Sequence, residues 1–572
     1  MKIGDYLDRD GEIAIPDGST LMSHFDRNVA VLADTPAYRY LDFDHDGQAV
    51  ELTWRQLDIR VRAVGARLQQ ITRPGDRVAI LAPQGVDYVT SFFAAIRAGN
   101  IAVPLFSPEL PGHAERLHAV VGDATPTVVL TTTPAAEAVG TFLRKLPRSR
   151  RPRIIAVDAV PDAVGAEFGA AALRTDDIAY LQYTSGSTRT PAGVEITHRA
   201  ACTNVLQMIL SVGLDRNIRS VSWLPLFHDM GLLMIMFPAL CGGHITLMSP
   251  VAFVRRPYRW IKELGASDVP TFAAAPNFAY ELAAQRGLPP AGDDLDLSNV
   301  AGLINGSEPV SLASIEVFNS AFEPYGLAPT AVKPSYGMAE ATLFVSTIAP
   351  DAQPGAVYVD REQLAAGRAV VVAPDAPGAV AQVSCGQVAR SQWAVIVAPA
   401  TDTEVDAELP DGHVGEIWLH GDNIGQGYWG RSTATDLTFR NKLQSRLEHN
   451  SHATGAPDGA SWLRTGDLGM YLDGELYITG RVKDMVIIDG RNHYPQDLEA
   501  TVAQASAAVR AGYVAAFSVP SASGERLVVV AERAPGAGRA DPQPIVDAIR
   551  AAISRHHAVA VREGNFVAAG SI

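Results

Sequence analysis

Short apolar runs alternate with helical patterns in the N-terminal part of the chain. The runs that predict strands are 78–81, 102–105, 128–130 and 154–157, and helical spacing of apolar residues covers 88–98 and 114–121. Thr53 and Gln56 have the spacing of a capping box, which predicts another helix from that point. Strands that are apolar on both sides are typical of parallel sheets covered by helices, so the pattern predicts an α/β architecture.

The pattern changes after Gly480. It then predicts a strand at 486–488, a helix at 496–505, strands at 513–517 and 527–531, and a helix at 544–556. This order is typical of a small α+β unit. We therefore expect a large N-terminal domain (1–480) with mostly parallel sheets flanked by helices. A small C-terminal domain (481–572) follows, with the junction near Lys483.

Composition and charge narrow the functional classes. A chain of 572 residues is too long for one core, which predicts at least two domains, and 47% hydrophobic with 19% charged residues is ordinary for a soluble protein. The net charge of -15 argues against a nucleic-acid partner. The densest basic run, 144–151, favours a solvated loop.

The cysteines and the N-terminal residues point to a reducing compartment. Cys202, Cys241 and Cys385 are an odd number at unrelated spacings, which fits neither a disulfide framework nor a metal site. No secretory signal pattern is visible near Met1, and the apolar stretch around 231–240 is shorter than a membrane helix requires. We expect a cytoplasmic protein without a transmembrane segment.

The stretch from Tyr183 to Val194 places hydroxyl groups and glycines between two apolar segments. Gly186 and Gly193 allow the backbone to turn so that N–H groups converge on an anion, and the hydroxyl groups add donors. It is not a Walker loop, because it lacks Gly-Lys-Ser/Thr and runs into 194–197, which predicts a strand. Such a cluster alone is also typical of a flexible surface connection, so its interpretation depends on the motifs in the rest of the chain.

Further polar and glycine-containing clusters come after this loop in order. They are Asn305–Pro309, Ser335–Glu340, Gly415–Trp418 with Gly427–Trp429, Arg464–Asp467 and Gly480–Asp484. Taken singly, each is most often an ordinary turn. Glycines beside polar groups at 305–309 and 335–340 are nevertheless what a flat base inserted against the backbone requires.

Together, in this order and spacing, the clusters resemble the adenylate-forming superfamily, whose members condense a carboxylic acid with ATP to acyl-AMP and pyrophosphate. The resemblance covers nearly the whole chain. Within the superfamily it is nearest to the long-chain fatty acyl-AMP ligases of actinobacterial lipid synthesis, of the type that supplies meromycolic acid to a polyketide synthase. The motifs that carry it are 183–188, 223–231, 305–310, 333–342, 489–497 and 570–572.

The resemblance implies a nucleotide site with ATP and Mg²⁺. The residues implied in nucleotide binding are Thr184, Ser185, Gly186, Ser187, Thr188, Asp229, Ser307, Glu308, Ser335, Tyr336, Gly337, Met338, Asp467 and Arg481. Tyr336 would stack on adenine, and Asp467 would accept both ribose hydroxyls with support from Arg481. Glu340 would help to hold Mg²⁺, a hard cation suited to oxygen ligands. A structural salt bridge is the alternative interpretation of Asp467 and of Arg481.

The resemblance also implies catalytic and acyl-binding roles. His228 would lie beside the fatty carboxylate and the α-phosphate, although a lone histidine is more often structural. Lys483 would be the hinge about which the small domain turns between adenylation and acyl transfer. An acyl tunnel or plain core are equally good interpretations of Met230, Met234, Met236, Phe237, Phe272 and Phe278. The acyl group would pass to the phosphopantetheine of an acyl carrier domain.

A longer interval between motifs separates this chain from the acyl-CoA ligases of the superfamily. The interval from Glu340 to Glu416 spans 76 positions. The extra segment, about 354–388, resembles the insertion that restrains the small domain and disfavours coenzyme A in fatty acyl-AMP ligases. A surface loop without consequence is its alternative interpretation.

Two departures from the family pattern weaken the expected activity. The phosphate loop ends in Pro191-Ala192-Gly193 where the family often has Pro-Lys-Gly, and Arg189 is a possible substitute. No lysine follows Lys483, although the family's catalytic lysine normally comes soon after the segment matching 569–572. We expect slow adenylation from the chain as given. The alternatives are a long-chain acyl-CoA ligase and a catalytically impaired nucleotide- or lipid-binding relative.

Overall fold

The computed structural model describes most of the chain. The described residues are 3–45, 47–109, 114–184, 191–215, 218–398, 406–488, 491–521, 524–538, 541–557, 559–568 and 570–571. Residues 185–188, the central part of the expected phosphate loop, and the 489–490 part of a family motif lie outside them.

The helices are distributed along the whole chain. They are α1 (Leu21–Val31), α2 (Trp54–Gln69), α3 (Val86–Arg97), α4 (Ala114–Ala124), α5 (Ala136–Arg144), α6 (His198–Ser211), α7 (Asp229–Cys241), α8 (Pro250–Arg255), α9 (Tyr258–Leu264), α10 (Asn277–Arg286), α11 (Leu312–Phe322), α12 (Arg361–Ala365), α13 (Ser432–Phe439), α14 (Pro495–Ala505) and α15 (Pro542–His557). Within the described ranges, none of them is both long and apolar enough to cross a membrane.

The strands are mostly short. They are β1 (Pro36–Asp42), β2 (Gln48–Thr53), β3 (Arg77–Ile80), β4 (Ile101–Pro104), β5 (Val128–Thr131), β6 (Arg153–Ala156), β7 (Ile178–Tyr183), β8 (Gly193–Thr197), β9 (Arg219–Ser222), β10 (His244–Met248), β11 (Thr271–Pro276), β12 (Val300–Gly306), β13 (Val332–Gly337), β14 (Phe344–Thr347), β15 (Ala356–Asp360), β16 (Ala379–Val383), β17 (Gln387–Val388), β18 (Gln392–Val397), β19 (Gly415–Gly421), β20 (Leu463–Leu472), β21 (Glu475–Arg481), β22 (Val486–Ile488), β23 (Arg491–His493), β24 (Val509–Ser521), β25 (Gly524–Arg533) and β26 (Val561–Val567).

Two largely parallel sheets form the centre of the large domain. One has the order β17-β14-β13-β12-β11-β9-β10-β1-β2 and is parallel from β13 to β1, and the other has the order β6-β5-β3-β4-β7-β8 with only β8 antiparallel to its neighbour. A four-stranded antiparallel sheet, β18-β19-β20-β21, completes the domain. The expected α/β architecture is confirmed.

The capping box at the start of α2 is formed as the sequence predicts. Thr53 Oγ1 accepts a hydrogen bond from the Gln56 N–H, and the Gln56 side chain accepts one from the Thr53 N–H at 2.9 Å. Leu57, Val61 and Val64 on its apolar face are fully buried. A local sequence signal and the burial of one face therefore agree at this helix.

The small domain has its own core. Leu498 and Val502 of α14 and Ile549 and Ile553 of α15 pack with Leu527 of β25. The strands β24, β25 and β26 form one sheet in which β26 runs parallel to β25. The predicted helices and strands of this region are present, each at least as long as its sequence pattern indicated.

A buried lysine connects strand β13 to the loop that follows β14. Lys333 is fully buried, and its Nζ donates to the carbonyl oxygens of Ala349 (2.9 Å), Pro350 (2.7 Å) and Ala352 (3.3 Å). Burial lowers the pKa of Lys333 to about 8. Three carbonyl acceptors satisfy the three ammonium donors, so this cation anchors the loop that leads into residues 354–388.

Candidate functional site

The site begins where β12 and β13 end. Both strands run parallel, so Gly306 and Gly337 come out at the same edge of the sheet, with Ser307 and Tyr336 beside them. Ser307 has a φ of 69°. These residues line one cavity together with side chains from α6, α7 and β11. The carboxyl edge of a parallel sheet is a common place for ligands.

Close backbone packing requires glycine at position 337. A Cβ built on Gly337 would fall on the carbonyl oxygen of Leu343. The Met338 N–H donates to that same oxygen at 2.7 Å. The turn after β13 is therefore tight, and it leaves the ring of Tyr336 against the cavity.

Asp467 joins this edge from the antiparallel sheet. Its Oδ2 accepts the Tyr336 hydroxyl at 2.6 Å, and its Oδ1 lies 3.0 Å from Arg481 Nε. Asp467 is 5% exposed. A carboxylate has about four lone-pair positions, and these two contacts leave the others for a diol.

Burial raises the pKa of Asp467, and the nearby Arg481 guanidinium opposes that rise most strongly, followed by the Tyr336 hydrogen bond and the charge of Lys483. Its own burial and the same carboxylate raise the pKa of the Tyr336 hydroxyl. Tyr336 therefore remains a donor to Asp467 at neutral pH. The pair holds the tyrosine ring in one orientation.

Glu340 provides a second carboxylate, which is half-buried. Its Oε1 accepts the Tyr428 hydroxyl at 2.7 Å. Burial raises the pKa of Glu340, and the charges of Asp467 and Asp229 raise it further. The like charges of Glu340, Asp467 and Asp229 therefore act on one another, which favours a nearby cation. Among the residues that the structure describes, no three acidic, histidine or cysteine side chains form a metal site by themselves.

His228 and Asp229 begin helix α7. His228 is the N-cap residue, and its ring lies 4.9 Å from that of Phe227. Asp229 Oδ1 accepts the Met230 N–H at 2.7 Å, and burial raises the pKa of Asp229 to about 6. The Phe227 carbonyl accepts a hydrogen bond from Gln182 Nε2 at 3.0 Å, which connects the start of α7 to strand β7.

Three of the expected nucleotide-binding residues have other partners. The Ser335 hydroxyl lies 2.8 Å from Thr347 Oγ1 and 2.9 Å from the Lys333 carbonyl oxygen, inside the sheet. Glu308 Oε1 accepts the Phe278 N–H at the start of α10, at 2.7 Å. Met338 Sδ lies 3.8 Å from the Tyr336 hydroxyl. Ser335 contributes to the cavity lining, whereas Glu308 is exposed.

Only the two ends of the expected phosphate loop are described. Strands β7 and β8 close it at Tyr183 and Gly193, and the Thr184 N–H donates to the Ala192 carbonyl at 3.2 Å. Ser185, Gly186, Ser187 and Thr188 lie outside the described residues. The strand expected after the loop is present as β8.

The candidate acyl-chain residues divide into three groups. Met230 and Met234 line the cavity beside Tyr336, with Met208, Ala274 and Ile304. Phe237 instead stacks on Phe272 at 5.1 Å within the core, and Met236 is fully buried. Phe278 is 45% exposed. The apolar cavity therefore takes its methionines from the first two turns of α7 and from α6.

Lys483 lies in a short 3-10 helix, Val482–Asp484, between β21 and β22. It is exposed, as are its neighbours on both sides. Met208 of α6 lines the cavity but carried no motif signal. Tyr428 lies in the predicted 427–429 cluster, although the sequence suggested no role for its hydroxyl, which contacts Glu340.

Comparison with known proteins supplies independent information. A family model described as AMP-binding enzyme matches residues 25–429. The long-chain-fatty-acid–AMP ligase FadD32 of Mycolicibacterium smegmatis is 53% identical, over 99% of this chain and 93% of that protein. The long-chain-fatty-acid–AMP ligase FadD26 of Mycobacterium tuberculosis is 40% identical, over 94% of this chain and 92% of that protein.

Solved structures agree in fold. The fatty acyl-adenylate ligase of L. pneumophila, solved with acyl adenylate and pyrophosphate, is 29% identical with a TM-score of 0.74, over 97% of this chain and 93% of that one. A chain from work on fatty acyl-adenylate ligases of E. coli and L. pneumophila is 28% identical with a TM-score of 0.82, over 98% of this chain and 96% of that one.

Proposed function

The chain belongs to the family of AMP-binding enzymes, and from that membership we propose that it transfers a long-chain acyl group by way of acyl-AMP to the phosphopantetheine of a polyketide synthase carrier domain. Its first reaction is the ATP-dependent activation of a long-chain fatty acid to acyl-adenylate and pyrophosphate, as in the ligases that it resembles over nearly its whole length. The carrier partner and the residue roles are the proposed part.

The observation that carries the residue roles is the convergence of Tyr336, Asp467 and Glu340 beside one apolar cavity. A flat ring fixed by a buried carboxylate fits an adenosine, with the ring on the base and the carboxylate on the ribose diol. Met208 of α6 and Met230 and Met234 of α7 line the same cavity as Tyr336, and their flexible apolar side chains suit contact with a methylene chain.

Adenylation joins two anions, since a fatty carboxylate attacks the α-phosphate of ATP. The protein can lower that barrier by holding both in place and by opposing the developing charge. His228 is the N-cap residue of α7, and helix N-termini favour negative charge. We place the fatty carboxylate and the α-phosphate there.

Glu340 fits a role in holding Mg²⁺. Among its described contacts with other side chains, only Oε1 has a hydrogen-bond partner, Tyr428, so Oε2 is available to a hard cation. The neighbouring charges of Asp229 and Asp467 favour a cation at this point. When bound, Mg²⁺ would supply charge neutralisation for the phosphate oxygens that complete its coordination.

Residues 354–388 bridge the large and small domains. β15 and β16 form an antiparallel pair, and Val359 and Leu364 pack in one cluster with Tyr477 and Tyr494. Arg361 Nη1 donates to the His556 carbonyl in the last turn of α15 at 3.0 Å. A cation at a helix C-terminus is favourable, so the segment holds the small domain by its last helix.

We expect Arg361→Ala to increase the transfer of acyl groups to coenzyme A severalfold while acyl-AMP formation is little changed. Loss of the contact with α15 would free the small domain for the turn about Lys483 that acyl transfer requires. Acyl-CoA is quantified by mass spectrometry after reaction with fatty acid, ATP and coenzyme A. Glu362→Ala, an exposed neighbour in α12, is the matched control.

If Arg361→Ala and Glu362→Ala both form acyl-CoA at the wild-type rate, residues 354–388 do not restrain the small domain. Rapid acyl-CoA formation by the wild-type chain would favour the acyl-CoA ligase instead.

The function itself is tested by ATP–pyrophosphate exchange across fatty acids of increasing chain length. We expect exchange to depend on a long-chain fatty acid and Mg²⁺, and acylation of a carrier domain to follow only when its phosphopantetheine is present. ATP–pyrophosphate exchange that does not depend on a fatty acid would contradict the ligase assignment. Absence of exchange in a chain that still binds ATP would contradict it as well. The latter result is what the impaired binding relative predicts.

A further inference from the structure

Two guanidinium groups reach the neck of the expected phosphate loop, where β7 and β8 close it. Arg116 of α4 donates from Nη2 to the Thr184 carbonyl at 3.0 Å. Arg431 donates from Nη2 to the Pro191 carbonyl at 2.7 Å. Thr184 and Ala192 face each other across the neck through a backbone hydrogen bond of 3.2 Å. The two arginines therefore contact opposite sides of the neck.

The charges of the two arginines are balanced differently. Arg431 Nη2 lies 2.9 Å from Asp123 Oδ1, and Asp123 Oδ2 also accepts the Tyr183 hydroxyl at 2.7 Å. Arg116 forms no ion pair with any described carboxylate, and the Thr184 carbonyl is its described hydrogen-bond partner. Arg431 is thus part of the structural neck, whereas the charge of Arg116 is not compensated.

The surroundings of Arg116 make that charge costly without an anion. Its side chain is half-buried, and burial lowers the pKa of Arg116. A guanidinium carries five N–H donors, of which this contact uses one. Partly desolvated cations without a counter-ion are unfavourable, and phosphate oxygens satisfy a guanidinium better than one carbonyl does.

We propose that Arg116 binds the β- and γ-phosphates of ATP, and then the pyrophosphate product, at the neck of the loop. This inference rests on the proposed function, because it names a further residue of the same nucleotide site. Ala192, across the neck, is uncharged. Among the described residues of the neck, Arg116 is therefore the cation that has no carboxylate partner. Its contacts would distinguish ATP and pyrophosphate from AMP.

Calorimetry on the full chain with three ligands tests this. We expect Arg116→Gln to weaken the binding of ATP and of inorganic pyrophosphate by about tenfold or more, because a charge-assisted hydrogen bond is lost. The binding of AMP should be unchanged. Arg259→Gln is the matched control: Arg259 is half-buried, burial lowers its pKa, and it also donates to a backbone carbonyl, that of Ala252 at 3.3 Å, with its guanidinium over the ring of Phe43.

A second variant separates charge from folding. Adding Ala192→Lys to Arg116→Gln places a cation across the same neck, and we expect it to restore part of the affinity for pyrophosphate. Unchanged affinity of Arg116→Gln for ATP and pyrophosphate, or an equal loss of affinity for AMP, would overturn the role proposed for Arg116. Neither result would contradict the proposed function. If the wild-type chain binds neither ATP nor AMP, the proposed function falls with it.

Discussion

Asp467→Asn should lower kcat/KM for ATP in pyrophosphate exchange by about a hundredfold, or about 2.7 kcal/mol of transition-state stabilisation. Asp467 already accepts the Tyr336 hydroxyl and pairs with Arg481. An asparagine has one acceptor oxygen, and Arg481 can only donate, so that oxygen would turn towards Arg481. Its NH₂ group would then face the Tyr336 hydroxyl and the ribose hydroxyls. Because an NH₂ group has no lone pair to offer, it could not accept hydrogen bonds from them.

Binding measurements give this prediction a distinctive signature. Because ATP and AMP contain the same ribose, Asp467→Asn should weaken the binding of both nucleotides by similar factors. Arg116→Gln should weaken the binding of ATP and not that of AMP. Asp473→Asn is the matched control, since Asp473 is an exposed residue in the turn of the same hairpin and its φ of 51° suits asparagine. Wild-type affinity for AMP in Asp467→Asn would exclude Asp467 as the ribose acceptor.

Glu340→Gln should reduce the adenylation rate by about 10²–10³-fold at fixed Mg²⁺. The substitution would remove the charged side chain proposed to hold Mg²⁺, and Mg²⁺ would neutralise charge on the phosphate oxygens. The geometry of the Tyr428 hydrogen bond can survive, since the glutamine oxygen still accepts. The loss would then report on charge and not on packing. The Mg²⁺ concentration for half-maximal exchange should rise in the variant.

The pH dependence of that Mg²⁺ requirement provides a second measurement. Burial raises the pKa of Glu340, so the wild-type carboxylate takes up a proton at a higher pH than an ordinary glutamate as the pH falls. Apparent Mg²⁺ affinity should therefore weaken on the acid side in the wild type and vary less in Glu340→Gln.

Glu499→Gln is the control for this measurement. Glu499 is also half-buried, and burial raises its pKa, but it lies on α14 of the small domain, where its Oε1 accepts the Ala516 N–H at 3.0 Å. We expect its Mg²⁺ dependence to match that of the wild type. Equal Mg²⁺ requirements in the wild type and Glu340→Gln would show that Glu340 does not hold the ion.

Local patterns in the sequence were enough to predict individual elements. The capping box at Thr53 and the apolar runs of β3, β4 and β5 depend on neighbours within a few residues, so the sequence carries them directly. The change of pattern after Gly480 predicted the small α+β unit, whose core is separate. The order of the motifs was enough to identify the family.

Burial altered the meaning of several residues that looked alike in sequence. Ser335 and Tyr336 are adjacent and both line the cavity, yet the Ser335 hydroxyl bonds to Thr347 of the next strand, whereas the Tyr336 hydroxyl donates to Asp467 of another sheet. Which partner each hydroxyl finds depends on what packs against the strand, and no local pattern contains that information.

The sequence by itself determined the elements, the family and the candidate residues, because each rests on a short stretch of chain. The tertiary structure decided which of them act together. Tyr336 meets Asp467 across 131 positions, Tyr428 meets Glu340 across 88, and Arg116 meets Thr184 across 68. Such contacts arise only when distant segments of the chain pack together, so their hydrogen bonds and charges are properties of the fold.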